Sequence, residues 1–585
     1  MRQNFKHFMR RRREREVPDE KPVFVVGVWQ NGQVVPADKK NKKTFYVRHV
    51  PPSVKLKEGD IVEIQVPRFV RAGTAGEFQR RLGNMKDAYA PTLLAMAQAH
   101  LPLSFSEEAE KEGRQAVVPP LEKRMDLRLV PFMTIDGADA RDFDDAVWAE
   151  KTPKGYHIRV AIADVSWYVL PDSALDREAQ KRGNSTYFPD RVVPMLPFSL
   201  SNGMCSLNPH EDRGAMVCDI HLNKKGQKVS HQFYRALIQS QARLTYDEVQ
   251  DFMVSGEGLD AVKAPLEALI EAYHHLRQLR QKRGVLELEV PERKITLNEQ
   301  GQVVHVSQRL QTDSMQLIEE MMILANVAAA ETLEKAAVPT MYRVHDRPSE
   351  EKITRFNDFL KSLGFQKRLP EVSGTAFNDI LNRVAGKKLG YALNTFVLRT
   401  QAQAQYSPEN IGHFGLALAR YAHFTSPIRR YADLMVHRAL VRAFKLGRGG
   451  LTADEEKNFA QIAEHISFTE RNSASAEQDA VDKYLAGYMR EKIGQLFYGR
   501  ISSLTAFGVF LTMNDTGADG FVPFRTMRGD YYRLDEKGAR LVGRHTGQVY
   551  KMGDEVPVIL RECDPITGGM IFSFARPKDL DMVCR

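Results

Sequence analysis

Five aspartates fall within ten residues of one segment, Thr134 to Val147 (TIDGADARDFDDAV): Asp136, Asp139, Asp142, Asp144 and Asp145. Carboxylates this close repel one another, so folding them together in a partly buried place is costly without cations. Divalent metal is the natural remedy. The donor set is oxygen only, which favours a hard ion such as Mg²⁺ or Mn²⁺, with nearby phosphates completing its coordination. The spacing departs from the calcium loop of an EF-hand. A solvated acidic loop is the competing account, but the flanking Thr-Ile and Ala-Val-Trp read as a strand-bounded, packed location.

The chain of 585 residues is long enough for about three or four folding units. Residues 1–20 are charged and nearly free of aliphatic side chains, and read as a disordered basic tail. From Lys21 short β-branched and aromatic runs follow at the spacing of a small OB-type barrel, with Asn31-Gly32 as a hairpin signal. With a helical connector, this unit is expected over residues 21–116. Phe45, Tyr46, Arg48 and His49 share the strand KTFYVRHV, which suits base stacking and phosphate contact, although core packing competes for Phe45. Residues 117–492 mix strands with strongly helical segments. Strand patterns return over 493–576 as a second small barrel, whose Phe507 and Phe510 are further expected RNA contacts, and 577–585 form a tail. The fold class is multidomain α+β: a large mixed α/β catalytic body flanked by OB-fold β-barrels.

A second informative segment is YAHFTSPIRRYADLMVHR, Tyr421 to Arg438. Ser426 followed by Pro427 predicts a helix starting at Pro427, with backbone N–H groups free for a phosphate. Arg429 and Arg430 would then lie in its first turn, where the helix dipole disfavours cations and an anion would relieve the cost. A formal charge of +9, from 83 Lys+Arg against 74 Asp+Glu, suits a polyanionic partner without requiring one. Cys205, Cys218, Cys563 and Cys584 are far apart, which argues against a zinc knuckle or a disulfide scaffold and for a reducing cytosol. No apolar run long enough for a bilayer crossing or a signal peptide is seen, so a soluble cytoplasmic protein is expected.

Seven ordered segments, TIDGADARDFDDAV, VAIADVSWYV, STYFPDRVVPMLPFSLSNGMCSLNP, ARLTY, MYRVHD, SPENIGHFGLAL and YAHFTSPIRRYADLMVHR, together resemble the catalytic (RNB) domain of the ribonuclease II/R exoribonucleases. The likeness covers roughly residues 120 to 490. The preceding barrel is similar to that family's cold-shock-type domain and the following one to its S-one RNA-binding domain. Ribonuclease R is the nearer branch, with room here for one complete N-terminal barrel where larger relatives have two, and without their helix-turn-helix extension and lysine-rich tail.

The resemblance implies roles residue by residue. Asp136, Asp142 and Asp145 would be metal ligands together with Asp144, the position on which turnover depends most. Arg429 would hold the scissile phosphate and stabilise charge developing on it, with Arg430 beside it on the RNA. Tyr187 would clamp the last nucleotide, and Glu320 would lie on a helix near the site. Gln401-Ala402 and Trp167 depart from the residues common in relatives, Met-Lys and His or Tyr.

Together these imply processive 3′-to-5′ hydrolysis of single-stranded RNA to nucleoside 5′-monophosphates, assisted by two Mg²⁺ ions with Mn²⁺ able to replace them. The protein is expected to be a monomer, with the RNA-decay machinery or the ribosome as further contacts and no membrane partner. Two other readings stand beside this one. An RNA-binding regulator with an inactive nuclease-like body should have lost an aspartate or the arginine, and the chain keeps both. A DNA-directed nuclease would be told apart by contacts to the 2′-OH.

Overall fold

The computed structural model describes residues 23–67, 74–289, 292–309, 311–365, 368–369, 371–527, 530–535 and 540–576; the expected basic tail and C-terminal tail lie outside them. The N-terminal unit is a five-stranded sheet in the order Gln33–Pro36, Val23–Gln30, Asp60–Val66, Ala75–Asn84, Tyr46–Arg48. Its first hairpin turns through Asn31 and Gly32, both at positive φ (49° and 80°), the conformation that Asn-Gly adopts with least strain. A backbone pair between Val34 and Phe45 joins the two outer strands and rolls the sheet up. That closure fixes the alternation of side chains. Phe45 turns inward and is fully buried among Val34, Val62, Ile64 and Val66, whereas Tyr46 is 53% exposed. The expectation that Phe45 contacts RNA is therefore corrected: it is core, and the face open to a ligand carries Tyr46 and Arg48.

The middle region holds a third barrel that the sequence does not announce. Strands Met125–Asp136, Asp145–Thr152, Gly155–Ala163, Asp212–Asn223 and Lys228–Thr245 close on one another, and the first and last of them run parallel. Helices Asp313–Lys335 and Tyr431–Phe444 pack apolar faces onto this body through Leu317, Met321, Leu434 and Leu440. The 32-residue helix Phe459–Arg490 packs against the connector helix Ala90–Gln98 and against strand Glu555–Asp564.

The C-terminal barrel closes in the order Leu496–Thr505, Gly508–Met513, Asp519–Pro523, Gly569–Phe574, Glu555–Asp564. Its core is continuous with that of the body: Leu485 and Met489 of the long helix join Phe356 and Phe377 with Ile501, Val509 and Phe572. Among the described residues no helix is long and apolar enough to cross a membrane.

Candidate active site

The acidic segment connects two neighbouring strands of the central barrel. Asp136 ends strand Met125–Asp136 and Asp145 begins strand Asp145–Thr152, so the sheet itself brings the ends of the cluster together. The intervening loop is tied down from outside. Ser206 Oγ accepts from the Phe143 N–H at 3.0 Å and donates to the Arg141 carbonyl, and Arg243 Nη2 donates to the Ala138 carbonyl at 2.6 Å. Asp136, Asp142, Asp144 and Asp145 then line one cavity of about 360 Å³ together with Arg429 and Arg430. Asp139, the fifth aspartate, is exposed and lines a neighbouring cavity instead.

Burial makes three of these carboxylates, those of Asp136, Asp144 and Asp145, expensive to ionise. It pushes Asp136 up to about 6, with the Asp142 charge adding to the effect. Burial also drives Asp144 and Asp145 well above the usual carboxylate range; Arg429 opposes both shifts, while Asp136 adds to that of Asp145. Asp144 Oδ1 accepts from the Ile428 N–H at 2.8 Å, but its Oδ2 and Asp136 Oδ2 are buried with no hydrogen-bond partner. Leaving a buried acceptor unpaired costs about 1–3 kcal/mol. Unpartnered carboxylate oxygens in an oxygen-lined cavity fit a hard divalent ion.

The Tyr421–Arg438 segment meets the cluster in a way the sequence does not predict. The helix begins at Tyr431, not at Pro427. Residues before it pair with another stretch of chain: Asn184 bridges Arg430, Ser185 N donates to the Arg429 carbonyl at 3.0 Å, and Tyr431 N donates to that of Gly183 at 2.9 Å. This extended pairing delays the helix by four residues. The N–H groups expected to hold phosphate are engaged within the protein: Ser426 N donates to Asp433 Oδ1, Ile428 N to Asp144, and Arg430 N to the Ser426 carbonyl. Arg430 makes two bonds of 2.8 Å to the buried Asp433 carboxylate, so its guanidinium organises the turn rather than reaching out to RNA. Arg429 differs. Its side chain is 43% exposed, bonds Ser426 Oγ at 3.1 Å and holds Nε 3.9 Å from Asp144 Oδ2, beyond hydrogen-bond distance.

Tyr187 comes from the two-residue strand Thr186–Tyr187 and is 41% exposed; its hydroxyl donates to Asp142 Oδ2 at 2.7 Å. Glu477, on the long helix, accepts from its backbone N–H at 2.6 Å. Glu320 is displaced from the expected site. It is buried on helix Asp313–Lys335 and accepts from Arg280 Nη1 at 2.7 Å, whereas its neighbour Glu319 lines the acidic cavity. One residue along a helix is about 100° of rotation, which is why the neighbour rather than Glu320 faces the site.

Asn326 and Tyr421 were not foreseen. The buried Asn326 joins Tyr421 OH (3.0 Å) to the Phe424 N–H (2.7 Å) and so fixes the chain entering Thr425 and Ser426 at the cavity wall. An asparagine in the apolar run MILANVAAA was the available signal, since a buried amide needs partners. The two departures from the family pattern lie in structural roles: Trp167 is flanked by the guanidiniums of Arg124 and Arg448, and the Ala402 carbonyl accepts from His345 Nε2. On the C-terminal barrel Phe507 is 78% and Phe510 is 42% exposed.

Known proteins are similar to this chain in sequence and in fold. The RNB domain matches residues 124–445 and the S1 RNA binding domain matches residues 490–574. Ribonuclease R of Escherichia coli (strain K12) is 41% identical over 518 residues, which is 85% of this chain and 64% of that protein. The chain thus spans a little under two thirds of that relative's length. Ribonuclease R of Thermotoga maritima is 36% identical over 94% of this chain and 80% of its own. Among solved structures, Mycoplasma genitalium RNase R in complex with ribose methylated single-stranded RNA superposes with a TM-score of 0.88 at 29% identity, covering 94% of this chain and 90% of that one. With more than half of its length in the RNB match and a relative 36% identical over 94% of this chain and 80% of its own length, the chain belongs to the ribonuclease R family of RNB-domain proteins.

Proposed function

We propose that this protein is a processive 3′-to-5′ exoribonuclease that hydrolyses single-stranded RNA to nucleoside 5′-monophosphates in the cytoplasm with two Mg²⁺ ions. The observation that carries the reading is the set of four aspartates in one cavity, with unpartnered buried oxygens on Asp136 and Asp144 beside the free face of Arg429. Asp136, Asp142, Asp144 and Asp145 would hold the metal. Bound divalent ions supply activated water and neutralise charge on the phosphate and leaving oxygen. The protein's own share is positioning. Arg429, near Asp144 but not hydrogen-bonded to it, is available to a phosphate oxygen and to charge that grows in the transition state. Tyr187, anchored through its hydroxyl on Asp142, offers a ring for the terminal base at the cavity mouth.

Membership of the ribonuclease R family supports the reading, as does the RNA complex of the Mycoplasma genitalium relative. Tyr46, Arg48, Phe507 and Phe510, on the outer faces of the two flanking barrels, would guide the strand inward. The deciding experiment is a time course on 5′-labelled RNA and matched DNA, with Mg²⁺ or with chelator. Short end fragments with few intermediates, from RNA and only with Mg²⁺, are the expected result. A label that stays at full length would reject the enzyme in favour of a binding protein.

A further inference from the structure

The outer wall of the central barrel carries a second cluster of ligating groups, unrelated to the acidic cavity. Strand Gly155–Ala163 pairs antiparallel with both Asp145–Thr152 and Asp212–Asn223, which sets Glu150, His157 and His221 in one cross-strand row and Trp148, Arg159 and Asp219 in the next. Ile158, Val160 and Ile220 alternate with them and fill the barrel interior, so all six side chains share the outward face. His157 and His221 stack with ring centroids 4.4 Å apart at an interplanar angle of 17°. Asp219, only 3% exposed, places Oδ1 2.8 Å from His157 Nε2 and 3.7 Å from His221 Nε2.

We propose that His157 Nε2, Asp219 Oδ1 and His221 Nε2 bind one divalent transition-metal ion of the zinc class. The ligand atoms of the three residues lie within 4.8 Å of one another. Bonds of about 2.0–2.1 Å in a tetrahedral site hold ligand atoms about 3.3–3.4 Å apart. The observed 2.8 and 3.7 Å bracket that value, and an ion enters as the two stacked rings splay to turn both Nε2 lone pairs toward it.

The surroundings orient the same atoms. Glu150 Oε1 faces His157 Nδ1 at 3.1 Å, the carboxylate behind an imidazole that fixes which nitrogen presents its lone pair. Arg159 Nε (3.0 Å) and Tyr234 OH (2.7 Å) occupy Asp219 Oδ2 and leave Oδ1 turned to the histidines. A two-nitrogen, one-oxygen set favours zinc-class ions over Mg²⁺, whereas the aspartate cavity offers oxygen alone. The two sites therefore select different metals. A network sufficient without metal, with His157 as an imidazolium between Glu150 and Asp219, would leave His221 only as a ring stacked on His157, because its nitrogen is too far from Asp219 to hydrogen-bond. The stacked pair also repels if both rings are protonated.

The test uses the full chain without a polyhistidine tag, stripped by chelator and saturated with Mg²⁺, then titrated with Zn²⁺ by equilibrium dialysis. One Zn²⁺ equivalent that persists in excess Mg²⁺ is expected, and it disappears in His221→Ala. Glu150→Gln weakens it about tenfold or more. His221 is half-exposed, so His221→Ala keeps the wild-type melting temperature in chelator and Mg²⁺-dependent RNA hydrolysis, but loses the upward shift that Zn²⁺ gives the wild type. Wild-type protein that retains no Zn²⁺, or a His221→Ala variant with unchanged stoichiometry and affinity, overturns the proposal.

Discussion

Asp144 has two oxygens with different tasks, and a single substitution separates them. Oδ1 accepts the Ile428 N–H and so ties the turn to the barrel, while Oδ2 is buried without a partner. In Asp144→Asn the amide oxygen can keep the first contact while the charge is lost. The fold and RNA affinity should survive, and single-turnover cleavage should fall by about 10²–10³-fold or more, the scale of removing one preorganised electrostatic group. Cleavage within a few-fold of wild type would remove the aspartates from the chemistry. Tyr187 allows a similar dissection. Tyr187→Phe loses the hydroxyl bond to Asp142 but keeps the ring, whereas Tyr187→Ala loses stacking of about 1–3 kcal/mol as well. The final fragment on a sequencing gel should lengthen by a nucleotide or more in the alanine variant and hardly change in the phenylalanine one. Equal end products from wild type and Tyr187→Ala would leave the residue without a clamping role.

Elements of the body are joined by buried charge. Asp164, at the end of strand Gly155–Ala163, accepts from Arg124 Nη2 at 2.7 Å and from Arg235 Nη2 at 3.1 Å, and is almost fully buried. Burial alone would raise its carboxyl; Arg235 and Arg124 outweigh that and hold it below the ordinary value. A depressed folded value means that the carboxylate stabilises the fold above its unfolded pKa of about 3.9 and that this contribution is lost as pH falls through the folded value. Asp164→Asn strands two guanidiniums and should cost about 3–5 kcal/mol at neutral pH. From about pH 4 downward its melting temperature should fall less steeply than that of wild type; parallel curves would show that Asp164 does not carry the acid sensitivity. Such long-range ties also mark what the sequence could and could not disclose. The Asn31-Gly32 hairpin and the aspartate cluster are local and were legible. The start of helix Tyr431–Phe444 was misread because the Asn184–Arg430 pairing overrides the local Ser-Pro signal. Phe45 and Tyr46 are indistinguishable by composition, and only barrel closure decides which turns inward. The central barrel stayed hidden because its parallel pair joins strands Met125–Asp136 and Lys228–Thr245, distant in sequence, and parallel pairing has no turn signal.

At the scale of the whole molecule, the flanking barrels differ in how they can be tested. Removing the C-terminal barrel would expose Leu485 and Met489, which share its core, so a truncation would confound lost binding with lost folding. Surface substitutions avoid this. Phe507 is 78% exposed, and Phe510, packed against Phe521 in a tilted ring pair with centroids 4.8 Å apart, is partly so. If both rings only deliver substrate, their contacts are equal before and during bond cleavage, and their loss weakens binding without slowing the chemical step. Phe507→Ala with Phe510→Ala should raise KM, each ring contributing about 1–3 kcal/mol, with kcat nearly unchanged and the salt dependence of binding the same as wild type. Arg48→Ala on the N-terminal barrel should behave oppositely in one respect, lowering the slope of log K against log salt by about 0.7, the value for one phosphate contact on a single strand. Binding isotherms at several salt concentrations, beside a melt to establish folding, measure both. An unchanged slope for Arg48→Ala would remove that side chain from the RNA path, and a collapsed kcat in the aromatic variant would mean that the C-terminal barrel shapes the active site instead of feeding it.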